Sequence, residues 1–383
     1  MPRHRVLVVT WAPGGNVPPL LAAASILRDA GHHVEILASA ATSAVAERAG
    51  FEVVAYRRSL APDTSVAFED QAGAMMAAAA GPDIGRDVHE VLAETRPDLA
   101  IVDCMLPAGI AAGLASDTPT ASLVHFLFGL ARRQMLAHGG AWTTDLAALN
   151  ATHRALGLPE AGSGLDAWEA PQLVLVTAPR WLDVALDYPR NVIHAGPLGV
   201  HARPRDPGVG AGRARPRVLV SFSTTVMSDQ LPTLQRVCDG ILEAEVEATL
   251  TLGPAVDQAA LRTPDNVRVV AFADHDELLR ECAAVITHGG LGTTLRALAH
   301  GVPQLLLPLG RDQEFNAARV SDLGAGIRLS SGAAPSDVRA ALERLLREPG
   351  FAAAAGDAAS RIATGDPDRR AVDALEGCAR RCA

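Results

Sequence analysis

The chain's 383 residues exceed the usual size of one domain and suit two of similar length, each able to bury its own core. A formal net charge of −9 argues against a general nucleic-acid binder, which presents a basic field to phosphate, and against attachment to an anionic membrane surface. All 34 Lys+Arg residues are arginine, so a lysine Schiff base and the lysine of a Walker A loop are excluded; any phosphate must be held by backbone N–H groups, hydroxyls, His or Arg.

Hydrophobic residues are 49% of the chain and aromatics 4%, the balance of an α/β protein whose helices pack on buried parallel strands. The first predicted strand, Val6 to Thr10, is a β-branched run that ends in a Gly/Pro turn. A helix over Pro18 to Ala30 follows, stops at Gly31, and leads into a strand over Val34 to Ala38, the opening of a parallel βαβ unit. The apolar run at residues 6–9 is too short for the core of a secretory signal, and no stretch approaches the ~20 apolar residues of a spanning helix, so a cytoplasmic location is expected. The five cysteines (Cys104, Cys238, Cys282, Cys378, Cys382) form no C-x-x-C pair and signal neither a disulfide framework nor zinc.

Further strands are expected at Phe51 to Tyr56, Leu99 to Asp103, Thr120 to Val124, Leu173 to Thr177 and Val192 to Ala195, alternating with Ala-rich helices. Residues 200–216 lose hydrophobic periodicity and gather Pro, Gly and Arg, which reads as a linker between a first domain over residues 1–199 and a second over 217–365. The alternation then restarts with strands at Val218 to Phe222, Ala248 to Leu252, Val267 to Phe272, Ala284 to Thr287 and Gln304 to Leu307. Helices are expected from about Asp229 to Glu243 and over Thr293 to His300. Amphipathic helices over Ser336 to Arg347 and Asp368 to Arg381 close the chain.

After the Ala284–Thr287 strand comes a tight loop, His288-Gly289-Gly290-Leu291-Gly292, and then a helix. Glycines there permit positive φ and close backbone approach, while the free N–H groups and dipole of a helix N-terminus attract phosphate. Thr293 and Thr294 add hydroxyls and His288 a ring N–H. A plain βα turn also needs glycine, so this loop alone decides nothing. Its companions narrow the reading. Eighteen residues after Gly290 begins Pro308-Leu309-Gly310-Arg311-Asp312-Gln313, where Asp312 and Gln313 suit a polyhydroxylated ring. A third loop, Ser221-Phe222-Ser223-Thr224-Thr225, offers hydroxyls to a diphosphate. Ligands of open parallel sheets lie at the C-terminal strand ends, so the three loops are expected to face one crevice.

The run from His288 to Gln304, followed by Pro308 and Asp312-Gln313-Glu314-Phe315-Asn316-Ala317, resembles the donor-site signature of GT-B glycosyltransferases of the UDP-glycosyltransferase superfamily. More narrowly, it is similar to actinomycete enzymes that decorate macrolides, enediynes and glycopeptides. The resemblance spans the chain, taking in the opening strand and turn, Gly31-His32-His33-Val34, the segment from Pro97 to Asp103, and Ala195-Gly196-Pro197-Leu198. It implies two Rossmann-like parallel-sheet domains facing across a cleft, with residues 366–383 forming a helix that packs back on the N-terminal domain. It also implies that His288 contacts a nucleotide phosphate, that Gly289, Gly290, Gly292 and Thr293 hold the diphosphate with Ser223 and Thr224 beneath it, that Phe272 and Ala273 meet the base, and that Asp312 and Gln313 meet the sugar. No essential metal and no cofactor are implied, the nucleotide-sugar being a co-substrate.

Enzymes of this family often carry a His in the first turn as general base, oriented by a downstream Asp. Here the turn reads Gly14-Gly15-Asn16-Val17-Pro18, and the amide of Asn16 cannot abstract a proton at ordinary pH. Asp103 matches the family's Asp and is one candidate base; His125, after the next strand, is another. Asn16 alternatively positions the acceptor. Bland roles compete with these: a strand-ending cap for Asp103, a hydrogen-bonded packed histidine for His125. His32 and His33 follow a helix-ending Gly and read as cap or packing residues. Asp274-His275-Asp276 superficially resembles a metal-binding D-x-D, but Asp274 with Glu277 reads better as a helix capping pair. Met75 and Met76 read as an apolar wall, of an acceptor pocket or of the core.

The expected function is an inverting glycosyltransferase that moves a (deoxy)sugar from a dTDP- or UDP-sugar to an apolar or aromatic small-molecule acceptor. Nucleic acid and membrane are not expected partners, and a homodimer is compatible with this reading. The alternatives are a GT-B-shaped sugar-nucleotide epimerase, acting on donor alone, and an inactive auxiliary partner of a glycosyltransferase. A nicotinamide dehydrogenase fits poorly, because the first turn lacks G-x-G-x-x-G spacing.

Overall fold

The computed structural model describes residues 3–11, 14–58, 68–138, 145–183, 187–200, 215–225, 227, 229–253 and 255–380. The chain divides into two compact units: Met1–Asp63 with Asp70–Gly199 and Asp366–Ala383, and Thr64–Glu69 with Val200–Gly365. Most of the expected linker (residues 201–214) and Cys382 lie outside the described residues.

In the first unit β1 (Arg5–Val9), β2 (His33–Ala38), β3 (Glu52–Ala55), β4 (Leu99–Asp103), β5 (Thr120–Val124), β6 (Leu173–Val176) and β7 (Val192–His194) form one sheet in the order β3-β2-β1-β4-β5-β6-β7. Every pairing is parallel. β4, β5 and β6 are buried at every position, as strands covered by helices on both faces must be, which is why they read as unbroken apolar runs. The strand order reverses direction between β1 and β4, so their C-terminal ends splay apart and leave a crevice there. Asn16 and Asp103 follow those two strands.

The last helix, Pro367–Arg380, belongs to this first unit. Its Ala371, Leu375, Cys378 and Ala379 are buried in one cluster with Val8, Leu20, Ile36 and Leu123. A buried polar contact pins it further: His32 Nε2 lies 3.2 Å from Glu376 Oε1, while His32 Nδ1 accepts the His4 N–H at 3.2 Å. That acceptor role leaves Nε2 as the proton-bearing atom, so a neutral His32 donates to Glu376. His32 therefore ties the C-terminal helix to the sheet through its ring, while its backbone N–H caps the helix before it by donating to the Leu27 carbonyl at 3.0 Å.

In the second unit β8 (Arg217–Ser221), β9 (Glu247–Thr251), β10 (Val267–Val270), β11 (Ala284–Thr287), β12 (Gln304–Leu306) and β13 (Gly326–Arg328) run in the order β10-β9-β8-β11-β12-β13, again all parallel. The reversal now falls between β8 and β11, the strands before Ser223 and His288. Two expected boundaries shift. β10 stops at Val270, leaving Phe272 beyond the ladder and 88% exposed. The helix expected from Thr293 starts at Leu291, because Leu291 is buried and seats the first turn on the core. Asp274 caps its helix by accepting the Asp276 N–H at 2.8 Å, without Glu277, so the expected pair reduces to one residue. Met75 and Met76 pack half-buried against the cluster containing Trp11, Ile84 and Leu106.

Candidate active site

At the crevice of the first unit the side chains form a short relay. Asn16 Nδ2 donates to Asp103 Oδ2 at 2.7 Å, and His125 Nε2 lies 3.1 Å from Asp103 Oδ1. The Met105 N–H also donates to Oδ1, at 2.9 Å. Asp103 is 0% exposed and both its oxygens are occupied, so an acceptor cannot touch it; the His125 side chain is 15% exposed and can be reached. Direct abstraction by Asp103, one of the options raised by sequence, is therefore disfavoured by burial. Asn16 holds the carboxylate from the position where the family's histidine is expected, and His125 brings an imidazole to the same carboxylate from the neighbouring strand.

Burial opposes charge on His125, but the adjoining Cys104 and the Asp103 carboxylate more than offset it, and His125 titrates well above the usual histidine range. Cys104 is itself pushed up by burial and stays a neutral thiol at ordinary pH, so Asp103 is the group that supports an imidazolium. Ligand atoms of Asp103, Cys104 and His125 lie within 4.8 Å of one another, the only buried grouping of metal-ligating side chains among the described residues. The Asp103–His125 hydrogen bond already engages the carboxylate oxygen and ring nitrogen, so the trio is self-satisfied as a proton relay. Tyr56 closes the wall, its phenol donating to the Thr10 carbonyl at 2.8 Å.

The second unit gathers the three loops anticipated from sequence. Gly290 is the N-cap of the Leu291–Ala299 helix and no side chain caps it, so the first-turn N–H groups point outward without an intrahelical partner. Gly292 is exposed, with open space where a side chain would stand, and Thr293 is half-buried beside it. Gly289 adopts φ +86°, and a Cβ there would stand 3.1 Å from the Gln313 carbonyl, so the glycine loop and the 310–313 loop pack backbone to backbone. A Cβ at Gly290 would stand 2.6 Å from His288 Nε2; glycine is what lets the ring lie flat against the loop.

His288 is buried, and burial, resisted by a hydrogen bond with the Ser221 backbone and aided by the Arg311 guanidinium, lowers its pKa to about 4. It stands at the helix N-terminus as a neutral imidazole and not a cation, its one N–H engaged by the Ser221 backbone. Ser223 Oγ lies 2.9 Å from Thr225 Oγ1 and accepts the Thr225 N–H at 3.1 Å; Thr224 is exposed beside them. Gln313 uses one end of its carboxamide within the loop. Its side chain is buried and Oε1 accepts the Leu309 N–H at 2.7 Å, so the carboxamide shapes the loop, while Asp312 stays half-exposed with Oδ2 accepting from Asn316 Nδ2 at 2.9 Å. Phe272 is exposed and Ala273 half-buried beyond β10.

Arg311 and Cys104 were given no role at the site from sequence, whereas Thr225 belonged to the expected hydroxyl loop. For Arg311 a signal existed: in a lysine-free chain, an arginine inside a strand-to-helix loop is the cation at hand for phosphate.

Residues 235–374 match the family model for the C-terminal domain of erythromycin biosynthesis protein CIII-like proteins. The chain is similar to the elloramycin glycosyltransferase ElmGT of Streptomyces olivaceus, 40% identical over 158 residues that cover 40% of this chain and 39% of that protein. It is also similar to the TDP-daunosamine transferase DnrS of Streptomyces peucetius, 38% identical over 151 residues covering 38% and 35%. The matched stretch thus spans less than two fifths of the length of these curated relatives. Among solved structures, the glycotransferase of kitacinnamycin superposes with a TM-score of 0.80 at 23% identity, covering 99% of this chain and 100% of that one. The architecture is therefore the GT-B fold of natural-product glycosyltransferases.

Proposed function

We propose that this chain, whose second unit carries an erythromycin biosynthesis protein CIII-like C-terminal domain, is an inverting glycosyltransferase acting on a small-molecule natural product. The second unit holds a dTDP- or UDP-sugar and the first holds an apolar or aromatic acceptor. The observation that carries the reading is the uncapped N-terminus of the 291–299 helix, open at Gly292 and flanked by the hydroxyls of Ser223 and Thr225 and by neutral His288.

In the transfer, at a pH above its raised pKa, His125 is a neutral imidazole and takes the acceptor's hydroxyl proton; Asp103 orients the ring and Asn16 supports it through Asp103. The acceptor oxygen forms its bond to the anomeric carbon from one face. The bond from that carbon to the diphosphate breaks on the other, its electron pair leaving with the nucleoside diphosphate. Charge developing there is met by the helix N-terminus and the hydroxyls, preorganised dipoles of the kind that stabilise leaving groups most effectively, with His288 packed beside them. The scheme draws on no metal ion.

Calorimetric titration with dTDP and UDP tests the donor half: at least one should bind, and His288→Ala with Thr293→Ala should weaken it. Absence of binding by the unaltered chain, or equal affinity in the double variant, would overturn this assignment.

A further inference from the structure

Arg311 lies just before Asp312 in the loop after β12, with φ +56°, one of three non-glycine residues in the left-handed region among the described residues. That conformation strains any residue with a Cβ, and it follows Gly310 at φ +140°. The turn carries the exposed guanidinium back over the loop after β8, where Nη2 donates to Thr225 Oγ1 at 3.3 Å. Thr225 in turn contacts Ser223, and the backbone of Ser221, two residues earlier, bonds His288, whose ring lies on Gly290 at the helix N-terminus. Arginine, the Ser223 and Thr225 hydroxyls, a neutral imidazole and the first-turn helix N–H groups thus border one basin, in a chain that has no lysine to supply a cation instead.

We propose that Arg311 is a diphosphate-binding residue, its guanidinium pairing with a non-bridging oxygen of the outer, sugar-bearing phosphate and staying with it as the nucleotide departs. This rests on the donor-site reading above. A planar guanidinium suits phosphate oxygens through paired N–H donors, and charge-assisted bonds of this kind are about twice as strong as neutral ones. Thr225 aligns the fork, and the strained turn is what aims it.

The test compares dTDP with dTMP, and UDP with UMP, by calorimetry on the unaltered chain and on Arg311→Gln. Loss of the guanidinium should weaken the diphosphate by roughly 10- to 100-fold and leave the monophosphate nearly unchanged. Arg311→Asn tolerates the left-handed backbone and should show the same selective loss, which separates charge from loop collapse. Arg311→Lys should recover part of it. If Arg311→Gln binds dTDP and UDP as tightly as the unaltered chain, or loses diphosphate and monophosphate equally, Arg311 does not hold the outer phosphate. If the unaltered chain binds neither diphosphate, the donor-site reading itself fails and this inference with it.

Discussion

Replacing Asp103 with Asn tests the relay at its centre. The native carboxylate accepts from Asn16 at Oδ2 and from Met105 and His125 at Oδ1, and is itself fully buried. An amide of the same shape has one accepting end. Either its NH2 faces Asn16 Nδ2 across 2.7 Å, or it turns and faces the Met105 N–H. The first is relieved only if Asn16 turns its own amide to present Oδ1, and the second leaves a buried donor against a donor, for which the expected loss is about 1–3 kcal/mol. For a unit of this size that corresponds to a fall in Tm of roughly 2–12 °C. Activity falls for a second reason. Without the adjoining carboxylate the His125 pKa drops, so the rising limb of activity, which follows deprotonation of the imidazole, moves to lower pH. Loss of orientation should lower kcat by about 10²- to 10⁴-fold. The pair Asn16→Asp with Asp103→Asn separates the two effects: the 16–103 hydrogen bond is rebuilt with donor and acceptor exchanged and Tm recovers, while the shifted pH limb remains. Thermal unfolding and a pH–rate profile read these. A D103N chain of unchanged Tm and unchanged pH limb would refute the relay.

His288 gives a stability signature. Its folded pKa of about 4 lies below the ordinary 6.5, so its neutral form stabilises the fold fully above about pH 6.5, and that contribution drains away as pH falls toward 4. The span is worth about 3 kcal/mol; His288→Asn should remove this part of the acid sensitivity, and denaturant melts of both chains between pH 7 and 4 that stay parallel would refute it. Leu375→Ala, in the last helix, should destabilise the first unit by about 2–5 kcal/mol through a cavity beside Leu20 and Ile36. An unfolding midpoint equal to that of the unaltered chain would mean the helix is not part of that core.

The alternation of strands and helices was legible because buried parallel strands are continuous apolar runs, and β4, β5 and β6 read as little else. The short β13 and the helix Pro349–Thr364 were not: three residues carry no periodicity, and an alanine-rich run shows little contrast between faces. Of the donor loops, the glycines announced themselves, since only a special backbone needs them at that density. For Gln313 the sequence shows a carboxamide beside an acidic residue, but not that its Oε1 engages the Leu309 N–H. Whether it points to ligand or folds back on Leu309 N depends on how the loop closes.

By itself the sequence determined the fold class, the two units and the glycine-opened helix start at residues 288–293, because these follow from local periodicity and from backbone freedom at glycine. Tertiary structure alone decided which groups meet. Asn16, Asp103 and His125 are separated by up to 109 residues and come together only because β1, β4 and β5 are neighbours in the sheet. Arg311 reaches Thr225 across 86 residues by the same logic. A pattern along the chain records periodicity, not which strand ends a sheet will place side by side; charge, burial and proton affinity at those ends are properties of that placement.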